Sequence, residues 1–410
     1  MAPVGSRESL AAALKAGADA VYFGIEGLNM RSRSSANFTA DDMAEIADTC
    51  RRYGVKTYLT VNTIIYDGDM LLLDHILGRA KDAGISAIIA SDIAAIELAR
   101  QKGLEVHIST QCNISNYEAV RFYARYADVL VLARELNLDQ VKAISERIEA
   151  DDLRGPHGDR IRLEMFCHGA LCMAYSGKCY LSLHQMNSSA NRGACNQICR
   201  RSYRATDRET GDVIDVENQY LMSPKDLKTI HFLNKMVDAG VRVLKIEGRA
   251  RGPEYVREAV ECYSQALEAI CDGTFSEEKI AEWETRLEKI FNRGFWDGYY
   301  LGQRLGEWSA KYGSSATRTK VYAAKALRYF PRLGVGEFKL ENGELRPGDE
   351  VVLTGPTTGV EIFKIEELRL ERDPVPVVTR GQRFSTSVPA RVRPSDRLYL
   401  WKEINHPKDS

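Results

Sequence analysis

Five of the nine cysteines in this chain crowd into one short stretch near its middle. The stretch contains Cys167, Cys172, Cys179, Cys195 and Cys199. Thiolate is the ligand that soft metals select, and four thiolates from one segment are enough to bind a zinc ion or an iron-sulfur cluster. The residue types therefore predict a bound metal centre.

The spacing of these cysteines bears on which metal centre is bound. Six residues separate Cys172 from Cys179, fifteen separate Cys179 from Cys195, and three separate Cys195 from Cys199. The paired two-residue gaps that are usual in structural zinc sites do not occur in the sequence. The spacing favours an iron-sulfur cluster, and zinc stays open as the alternative. Four other cysteines fall in predicted helices or strands and are interpreted as buried or incidental thiols: Cys50, Cys112, Cys262 and Cys271.

Three more side chains that can take part in chemistry lie in or next to predicted strands. His168 can serve as an acid, a base or a metal ligand, and a structural histidine is an equally good interpretation. Glu164 would be costly to bury without a partner, so we expect an arginine beside it. Glu247 and Arg249 end the eighth predicted strand, in the region where many TIM barrels bind phosphate or carboxylate.

Glycines that follow helical stretches, each before an apolar run, set out the elements that position these residues. The runs predict eight parallel strands: 2–4, 20–24, 56–62, 86–90, 105–109, 128–132, 160–166 and 243–247. Strands that alternate with helices favour an α/β fold of the TIM (β/α)8-barrel type over an open sheet. Active-site residues of such barrels gather at the carboxyl ends of the strands.

The pattern of polar and apolar residues changes along the chain and divides it into parts. We predict a barrel over residues 1–292, with the cysteine-rich segment 164–204 inserted after the seventh strand, so that its metal caps the barrel mouth. A linker over 293–319 leads to 320–403, where alternating polar and apolar residues between turns predict a small all-β domain. Ser223-Pro-Lys-Asp-Leu227 predicts a turn into a helix, with Ser223 as the N-cap.

Size and composition limit the class of protein. The 410 residues suffice for two domains, and the formal net charge of -1 neither requires nor excludes a polyanionic partner. No apolar run approaches the roughly 18 residues of a membrane helix. The first residues lack the features of a secretion signal, so we expect a cytoplasmic protein with reduced cysteines.

Local groups of arginine supply positive charge for a phosphate or carboxylate partner. The candidates are Arg31, Arg134, Arg192, Arg200, Arg201, Arg204 and Arg249. Solvated surface arginine is an equally good interpretation of any single one. The sequence contains no zinc-protease helix, serine nucleophile elbow, Walker loop or dinucleotide fingerprint.

Several motifs in this region resemble a known family. The run Glu164-x-Phe166-x-x-Gly169-Ala170-Leu171-Cys172, followed after four residues by Gly177-x-Cys179-x-Leu181-Ser182, resembles the signature of the collagenase-like peptidase family U32. Three further motifs are similar to that family: Asn191-Arg-Gly-Ala-Cys195, Ser223-Pro-Lys-Asp-Leu227 and Lys245-Ile-Glu-Gly-Arg249. The resemblance covers the predicted barrel and extends to the C-terminal β domain.

The resemblance implies an activity. Members of the family were named as peptidases, but better understood branches are oxygen-independent hydroxylases with a 4Fe-4S cluster, acting on a tRNA uridine, an rRNA cytidine or the ubiquinone ring. The tRNA branch, with prephenate as hydroxyl donor, is the most similar, since a single barrel leads through Gly302-Gln-Arg-Leu-Gly-Glu-Trp308 into the last domain. It forms 5-hydroxyuridine at the wobble position.

The same resemblance implies which residues do this. The cluster ligands would be Cys172, Cys179, Cys195 and Cys199. Some relatives have a cysteine just after the Asp-Leu of the Ser-Pro-Lys-Asp-Leu motif, where this chain has Lys228, so Cys199 is the local candidate for the fourth ligand. We expect Glu164, His168 and Glu247 in catalysis. We expect tRNA or the dicarboxylate at Arg31, Arg134, Arg192, Arg200, Arg201 and Arg249.

Two other functions stay open. A peptidase with a structural metal would need a nucleophile or an activated water. A non-catalytic RNA-binding protein would need only the basic groups. A hydroxylase explains the cysteines better, because hydroxylation of a base carbon is a two-electron oxidation that ordinary side chains do not perform. A partner that supplies or accepts electrons is then possible.

Overall fold

The computed structural model describes residues 1–32, 38–174, 178–201, 203–216, 223–309 and 313–404. Gly177 of the cysteine-rich motif lies outside these ranges. Within them the chain forms an α/β part with a mainly parallel sheet, followed by an antiparallel β part. Both features confirm the predicted fold class at this level. None of the helices in these ranges has the length and apolar character needed to cross a membrane.

The first part alternates strands with helices, and strands β1 to β7 pair side by side, in parallel and in chain order. The strands span Ala2–Pro3 (β1), Ala20–Phe23 (β2), Lys56–Val61 (β3), Ala87–Ala90 (β4), Glu105–Ile108 (β5), Val129–Val131 (β6) and Arg162–Gly169 (β7). The helices span Arg7–Lys15 (α1), Asp42–Arg52 (α2), Met70–Asp82 (α3), Ile93–Gln101 (α4), Tyr117–Tyr123 (α5) and Leu138–Ala150 (α6).

A glycine follows each of the helices α1 to α4, because the chain must reverse there before it enters a buried strand. Gly54 (φ 69°) after α2 and Gly84 (φ 72°) after α3 adopt the left-handed conformation that closes a helix at little steric cost. The strands that follow are almost entirely buried, as expected of a parallel sheet covered by helices. The pattern of a glycine followed by an apolar run thus correctly predicts strands of the parallel sheet.

The chain between β7 and the C-terminal part contributes the rest of the large sheet. Its elements are Leu181–Met186 (α7), Tyr203–Thr206 (β8), Val213–Val216 (β9), Asp226–Lys228 (β10), Leu233–Asp238 (α8), Val241–Ile246 (β11), Pro253–Cys271 (α9), Glu277–Lys289 (α10) and Phe295–Trp296 (β12). Strand β11 pairs with β7 in parallel. The backbone N–H of Ile246 in β11 also donates to the carbonyl of Met1, 3.1 Å away.

Two short strands differ from the sequence predictions. The segment after Ser223 does not begin a helix, because residues 226–228 form β10, which pairs antiparallel with His168 and Gly169 at the end of β7. This extra pairing also carries β7 three residues beyond its predicted end at Phe166. Part of the predicted linker, 293–319, is β12, which pairs with β10 and buries Trp296.

The C-terminal part contains an eight-stranded antiparallel sheet and a separate pair of short antiparallel strands, β15 and β20. Its strands span Arg318–Phe330 (β13), Val335–Leu340 (β14), Glu344–Leu345 (β15), Glu350–Gly355 (β16), Gly359–Lys364 (β17), Leu368–Leu370 (β18), Asp373–Val375 (β19), Val378–Thr379 (β20), Arg383–Ser387 (β21) and Arg397–Glu403 (β22). A small apolar cluster joins Ala12 of α1 to Val352, Val360 and Trp401. The Lys15 ammonium donates to the Thr358 carbonyl at 2.6 Å, so this sheet is docked on α1.

A buried ion pair joins β7 to β11. Glu164 is 0% exposed, and the Nζ atom of Lys245 lies 2.8 Å from its Oε1 atom. The sequence predicted an arginine at this place, and that identity is wrong: the partner is a lysine, because the register pairs Glu164 with Val243 and Lys245 follows two residues later on β11. Burial lowers the pKa of Lys245, and the nearby Glu164 carboxylate opposes that shift.

Removing one member of this pair should destabilise the fold strongly. Lys245→Met leaves the Glu164 carboxylate buried without a cation, so we expect a loss of about 3–5 kcal/mol in the free energy of unfolding, measured by urea denaturation. The double variant with Glu164→Gln should recover much of that loss. Lys235→Met, at an exposed site on α8, is the matched control. A single-variant loss no larger than that of the control would contradict the structural role of the pair.

Candidate active site

A cavity of about 780 Å³ lies where the carboxyl ends of the parallel strands meet the cysteine-rich segment. The strand ends contribute Tyr22, Thr60, Asn62, Arg134, Phe166 and Arg249 to its lining. The later loops contribute Trp296, Tyr299 and Trp308. Its size lies within the usual range for pockets that hold small ligands. Its position agrees with the expectation that chemistry gathers at this end of the strands.

Four thiols face this cavity. Cys172, Cys179, Cys195 and Cys199 all belong to its lining. Burial raises the pKa of the Cys199 thiol, and the three other sulfurs act in the same direction, so the four groups are near enough to influence one another's charge. Among the residues described, however, no three potential ligands are gathered in metal-binding geometry. The donor type and shared location fit a soft metal centre, which stays a prediction.

Cys167 belongs to a different environment. Its side chain is buried, its Sγ atom lies 3.5 Å from the Lys245 carbonyl, and it is not one of the cavity-lining residues described. Burial raises the pKa of its thiol to about 12. Cys167 is therefore neutral at ordinary pH and has the character of a packed core residue.

Glu247 and Arg31 form an ion pair at the cavity wall, with Oε1 and Nη2 2.9 Å apart. Burial alone would raise the pKa of Glu247, but Arg31, Arg251 and Arg134 outweigh it and hold that pKa at about 2. The carboxylate is therefore ionised at all ordinary pH values and is a weak proton acceptor. Its clear contribution is negative charge that orients Arg31.

Two other cations in the cavity have neutral partners. Arg249 donates from Nη1 to Asn29 Oδ1 at 3.1 Å and to Thr60 Oγ1 at 2.7 Å. Burial lowers its pKa to about 10, which leaves it charged near neutrality. Arg134 donates to the Ala170 carbonyl and lies 3.8 Å from the centre of the Phe166 ring. Both residues line the cavity.

Two of the three predicted catalytic residues lie behind the cavity wall. Neither Glu164 nor His168 is among the cavity-lining residues described. The His168 ring is packed against Tyr255, Tyr263 and Phe295, with ring centres 5.5–5.7 Å away. Burial lowers the pKa of His168 to about 3, so the imidazole is neutral. A catalytic role for these two residues stays untested, and their surroundings are those of structural groups.

Arg192 fastens the cysteine-rich segment to the loop after β3. Its Nη2 atom lies 3.0 Å from Asp69 Oδ1, and its Nη1 atom donates to a second carboxylate oxygen and to the Ile64 carbonyl. The guanidinium also lies over the Tyr66 ring, 4.4 Å from its centre. It holds the pKa of Asp69 below its ordinary value. We call these contacts of Arg192, Asp69, Ile64 and Tyr66 the arginine latch.

Close backbone packing supports the latch. Gly193 has φ 80°, and a Cβ atom there would lie only 2.2 Å from the Asn29 carbonyl oxygen, so only glycine fits. The backbone N–H of Ile64 donates to the Asn191 carbonyl at 3.2 Å. The Asn191-Arg-Gly-Ala-Cys195 motif is therefore the docking point of the cysteine-rich segment on the sheet.

Arg200 and Arg201 differ in their surroundings. Arg200 donates to the Leu171 carbonyl at 2.8 Å and to Ser223 Oγ at 3.0 Å, so it ties two parts of the cavity rim together. Arg201 is exposed and has a 3.5 Å contact with the Met186 sulfur. Arg192 and Arg200 thus have internal partners that the sequence did not indicate. Contact of these three arginines with RNA stays a prediction.

The sequence analysis did not predict that Lys245, Trp296, Tyr299 and Trp308 would line the cavity. Strand alternation could have indicated Tyr22 and Lys245, since inward-facing residues repeat every second position. The aromatic residues Trp296, Tyr299 and Trp308 come from chain that was predicted to be a linker. Only their density in an otherwise irregular stretch hinted at burial.

The chain is similar in sequence to a known protein family and to several named proteins. A family model described as peptidase family U32 matches residues 5–310. A Porphyromonas gingivalis protein named collagenase is 65% identical over 399 residues, which cover 97% of this chain and 96% of that protein.

Two further relatives have names from RNA modification. The Bacillus subtilis tRNA hydroxylation protein P1 is 33% identical over 364 residues, which cover 87% of this chain and 83% of that protein. The Escherichia coli 23S rRNA 5-hydroxycytidine C2501 synthase is 37% identical over 298 residues, which cover 71% of this chain and 43% of that protein. Proteins with peptidase and hydroxylation names are thus both similar to this chain.

Replacing His168 should change how stability depends on pH. In the unfolded chain the imidazole binds a proton near its ordinary pKa of about 6.5, whereas the folded protein keeps it neutral down to about pH 3. A fall in pH from about 7 to about 5 therefore favours unfolding. His168→Leu should remove roughly 2 kcal/mol of this acid-dependent loss, measured from urea unfolding at both pH values. His75→Leu, at an exposed site on α3, should leave the dependence unchanged; equal pH dependence in His168→Leu and the wild type would refute a buried neutral imidazole.

Loosening the arginine latch should expose the cysteine-rich segment. Hydrogen bonds to charged groups contribute about 1.5–3 kcal/mol each, so Arg192→Ala should accelerate amide exchange in residues 178–201 by about tenfold or more. Thiol labelling of Cys195 should speed up in parallel. The exchanged pair Asp69→Arg with Arg192→Asp should slow both rates again, and Arg201→Ala is the exposed control. Exchange in Arg192→Ala no faster than in Arg201→Ala would argue against the latch.

Proposed function

This chain belongs to peptidase family U32, and we propose that it is an oxygen-independent tRNA hydroxylase that forms 5-hydroxyuridine at the wobble position. Cys172, Cys179, Cys195 and Cys199 would hold a 4Fe-4S cluster. The observation that carries this proposal is the shared cavity, in which these four thiols and the strand-end arginines line one space. The names of the B. subtilis and E. coli relatives support an RNA substrate.

The residues of the cavity suit an oxidation on an anionic ligand. The cluster, when bound, would supply the electron transfer that side chains lack. Arg134 and Arg249 have only neutral hydrogen-bond partners among the described residues, so both can pair with the carboxylates of a prephenate-like co-substrate. A wobble uridine would have to leave its stack to enter the cavity. An electron-transfer partner and a cytoplasmic location belong to the same proposal.

The proposal includes the architecture that presents the cavity. We infer that the parallel strands close into a TIM-type barrel, since β11 pairs with β7 on one side and bonds to Met1 on the other. The barrel would span residues 1–292, with the cysteine-rich segment 164–204 as an insertion over its mouth. The predicted linker 293–319 would then contribute β12 and the aromatic residues of the cavity wall, ahead of the small all-β domain at 320–403.

A peptidase is the second candidate, because the 65% identical P. gingivalis relative is named collagenase. Cys167 or Cys172 with His168 would be the thiol-protease pair. Cys172 lines the cavity, but Cys167 and His168 are buried outside the described cavity lining. A histidine with a pKa of about 3 is a poor general base near neutral pH. A non-catalytic RNA-binding protein is the third candidate, and it needs no cluster.

Replacing the cavity thiols tests the proposal. Protein purified without oxygen should be brown and contain iron and sulfide, and Cys172→Ser, Cys179→Ser, Cys195→Ser or Cys199→Ser should each lose most of both, because thiolate ligands hold the cluster. Cys271→Ser, at an exposed site at the end of α9, should retain them. In cells that lack the gene, tRNA should contain no 5-hydroxyuridine by nucleoside mass analysis. Only the wild-type and Cys271→Ser genes should restore the modified nucleoside.

Other results would favour the other candidates. A colourless protein that cleaves collagen peptides after iron chelation would favour the peptidase. Binding of tRNA without a change in nucleoside mass would favour the non-catalytic protein. Iron retained in all four cysteine variants would remove these thiols as the ligands.

A further inference from the structure

Three aromatic rings form one wall of the cavity. Trp296, Tyr299 and Trp308 all line it, and the rings of Trp296 and Tyr299 meet nearly at right angles, with centres 5.2 Å apart. Gly306 lies among the three rings: a Cβ atom built on it would be 3.4–3.9 Å from atoms of Tyr299, Trp296 and Trp308. We call Trp296, Tyr299 and Trp308 the aromatic wall.

The wall is held from behind. Trp296 belongs to β12 and is 5% exposed, so it forms a fixed backing. Trp308 pairs across an isolated bridge with Pro224, and the flanking backbone groups bond as well: Lys225 N–H donates to Glu307 and Ser309 N–H to Ser223. Tyr299 and Trp308 are half-buried, so part of each ring surface remains accessible. A rigid aromatic surface of this kind is suited to stacking against a flat ring.

The charge of the cavity indicates the kind of ring. Four cations line the cavity, Arg31, Arg134, Lys245 and Arg249, together with the carboxylates of Glu135 and Glu247. Lys245 is paired with Glu164 and Arg31 with Glu247, so Arg134 and Arg249 against the carboxylate of Glu135 leave the cavity with one excess positive charge. A cationic ring is disfavoured there, whereas a neutral ring that carries a phosphate is favoured.

Polar groups for reading such a ring are also present. The amides of Asn62 and Gln111 line the same cavity and contact each other at 3.4 Å. Amide side chains can donate to and accept from the edge of a nucleobase. Stacking surface, positive charge and amide groups therefore occur together in one space.

We propose that the aromatic wall is the stacking site for the unstacked pyrimidine of an RNA strand, with Trp308 as the residue that contacts its face. This inference rests on the proposed function and adds to it the location of the base. Trp308 is then a substrate-binding residue that positions the base in the same cavity as the thiols. Such stacking is tolerant of base identity, because every base has a flat face.

A double-mutant cycle tests this contact directly. The probes are a synthetic anticodon stem-loop RNA with uridine at the wobble position and the same RNA with an abasic site there. Removing the base should weaken binding to the full-length wild-type protein about 5- to 150-fold. Trp308→Ala should weaken binding of the intact RNA by a similar factor and should leave binding of the abasic RNA nearly unchanged.

Two further variants serve as controls for this experiment. Trp308→Phe keeps an aromatic face and should retain most of the affinity for the intact RNA, which separates stacking from loss of the fold. Tyr53→Ala, at an exposed aromatic site after α2, should leave both affinities unchanged. Independent losses, in which base removal and Trp308→Ala multiply, would overturn the inference.

The outcome is distinguishable from failure of the proposed function. If tRNA from cells lacking the gene lacks 5-hydroxyuridine but the cycle shows no coupling, the hydroxylase stands and the aromatic wall has another role. If the wild-type protein binds a collagen peptide in a Trp308-dependent manner and does not bind the RNA, the wall accepts a peptide side chain and the inference is wrong.

Discussion

The buried pair of Glu164 and Lys245 is the interaction on which the arrangement of the site depends. A carboxylate with no exposed surface is tolerated only beside a cation, so β11 must lie next to β7 in the one register that brings Lys245 to it. That register has two consequences. It carries the chain after Lys245 to the cavity, where Glu247 and Arg249 lie in the wall. It also pairs Ile246 with His168, one residue before the end of β7, from which the cysteine-rich segment starts. The positions of the strand-end arginine and of the thiols are thus both tied to a pair of which Lys245 lines the cavity and Glu164 lies behind the cavity wall.

The cysteine-rich segment has little regular structure, so its shape depends on side chains that bond to backbone groups. Irregular backbone near a buried space needs partners for its carbonyls, and arginine can serve several carbonyls with one side chain. Arg192 bonds to the Ile64 carbonyl and Arg200 to the Leu171 carbonyl, while Gly193 allows the backbone of Asn29 to approach. Arginines that hold a segment in this way are less available for phosphate. The positive charge in the described cavity lining comes instead from residues at the strand ends.

Much of the parallel sheet could be predicted because its signal is local. A glycine follows each of the helices α1 to α4 and precedes a largely apolar strand, so the starts of β2, β3 and β5 coincide with the predicted ones. The two short strands β10 and β12 could not be predicted, since they are stabilised by pairing with distant chain rather than by their own residues. For the same reason the sequence required a cation beside Glu164 but could not identify Lys245, and it grouped the cysteines but could not join them to Trp308. Strand register and loop packing determine these contacts, and a local sequence pattern predicts neither of them.

The geometry around Cys167 and His168 explains why a cysteine-histidine pair in sequence need not be a catalytic pair. The two residues lie at a register shift, where Phe166 and His168 pair with consecutive residues of β11 and Cys167 has no partner there. His168 is enclosed by aromatic rings, and the Cys167 thiol contacts the Lys245 carbonyl. No histidine occurs among the cavity-lining residues described, whereas four thiols and several cations do. The described lining of the pocket therefore lacks the imidazole base that most hydrolytic nucleophiles use. It contains thiols and cations, the types of group that bind soft metals and anions. The peptidase name of a close relative and the chemistry of this cavity therefore point in different directions, and the cavity is the more direct evidence about this chain.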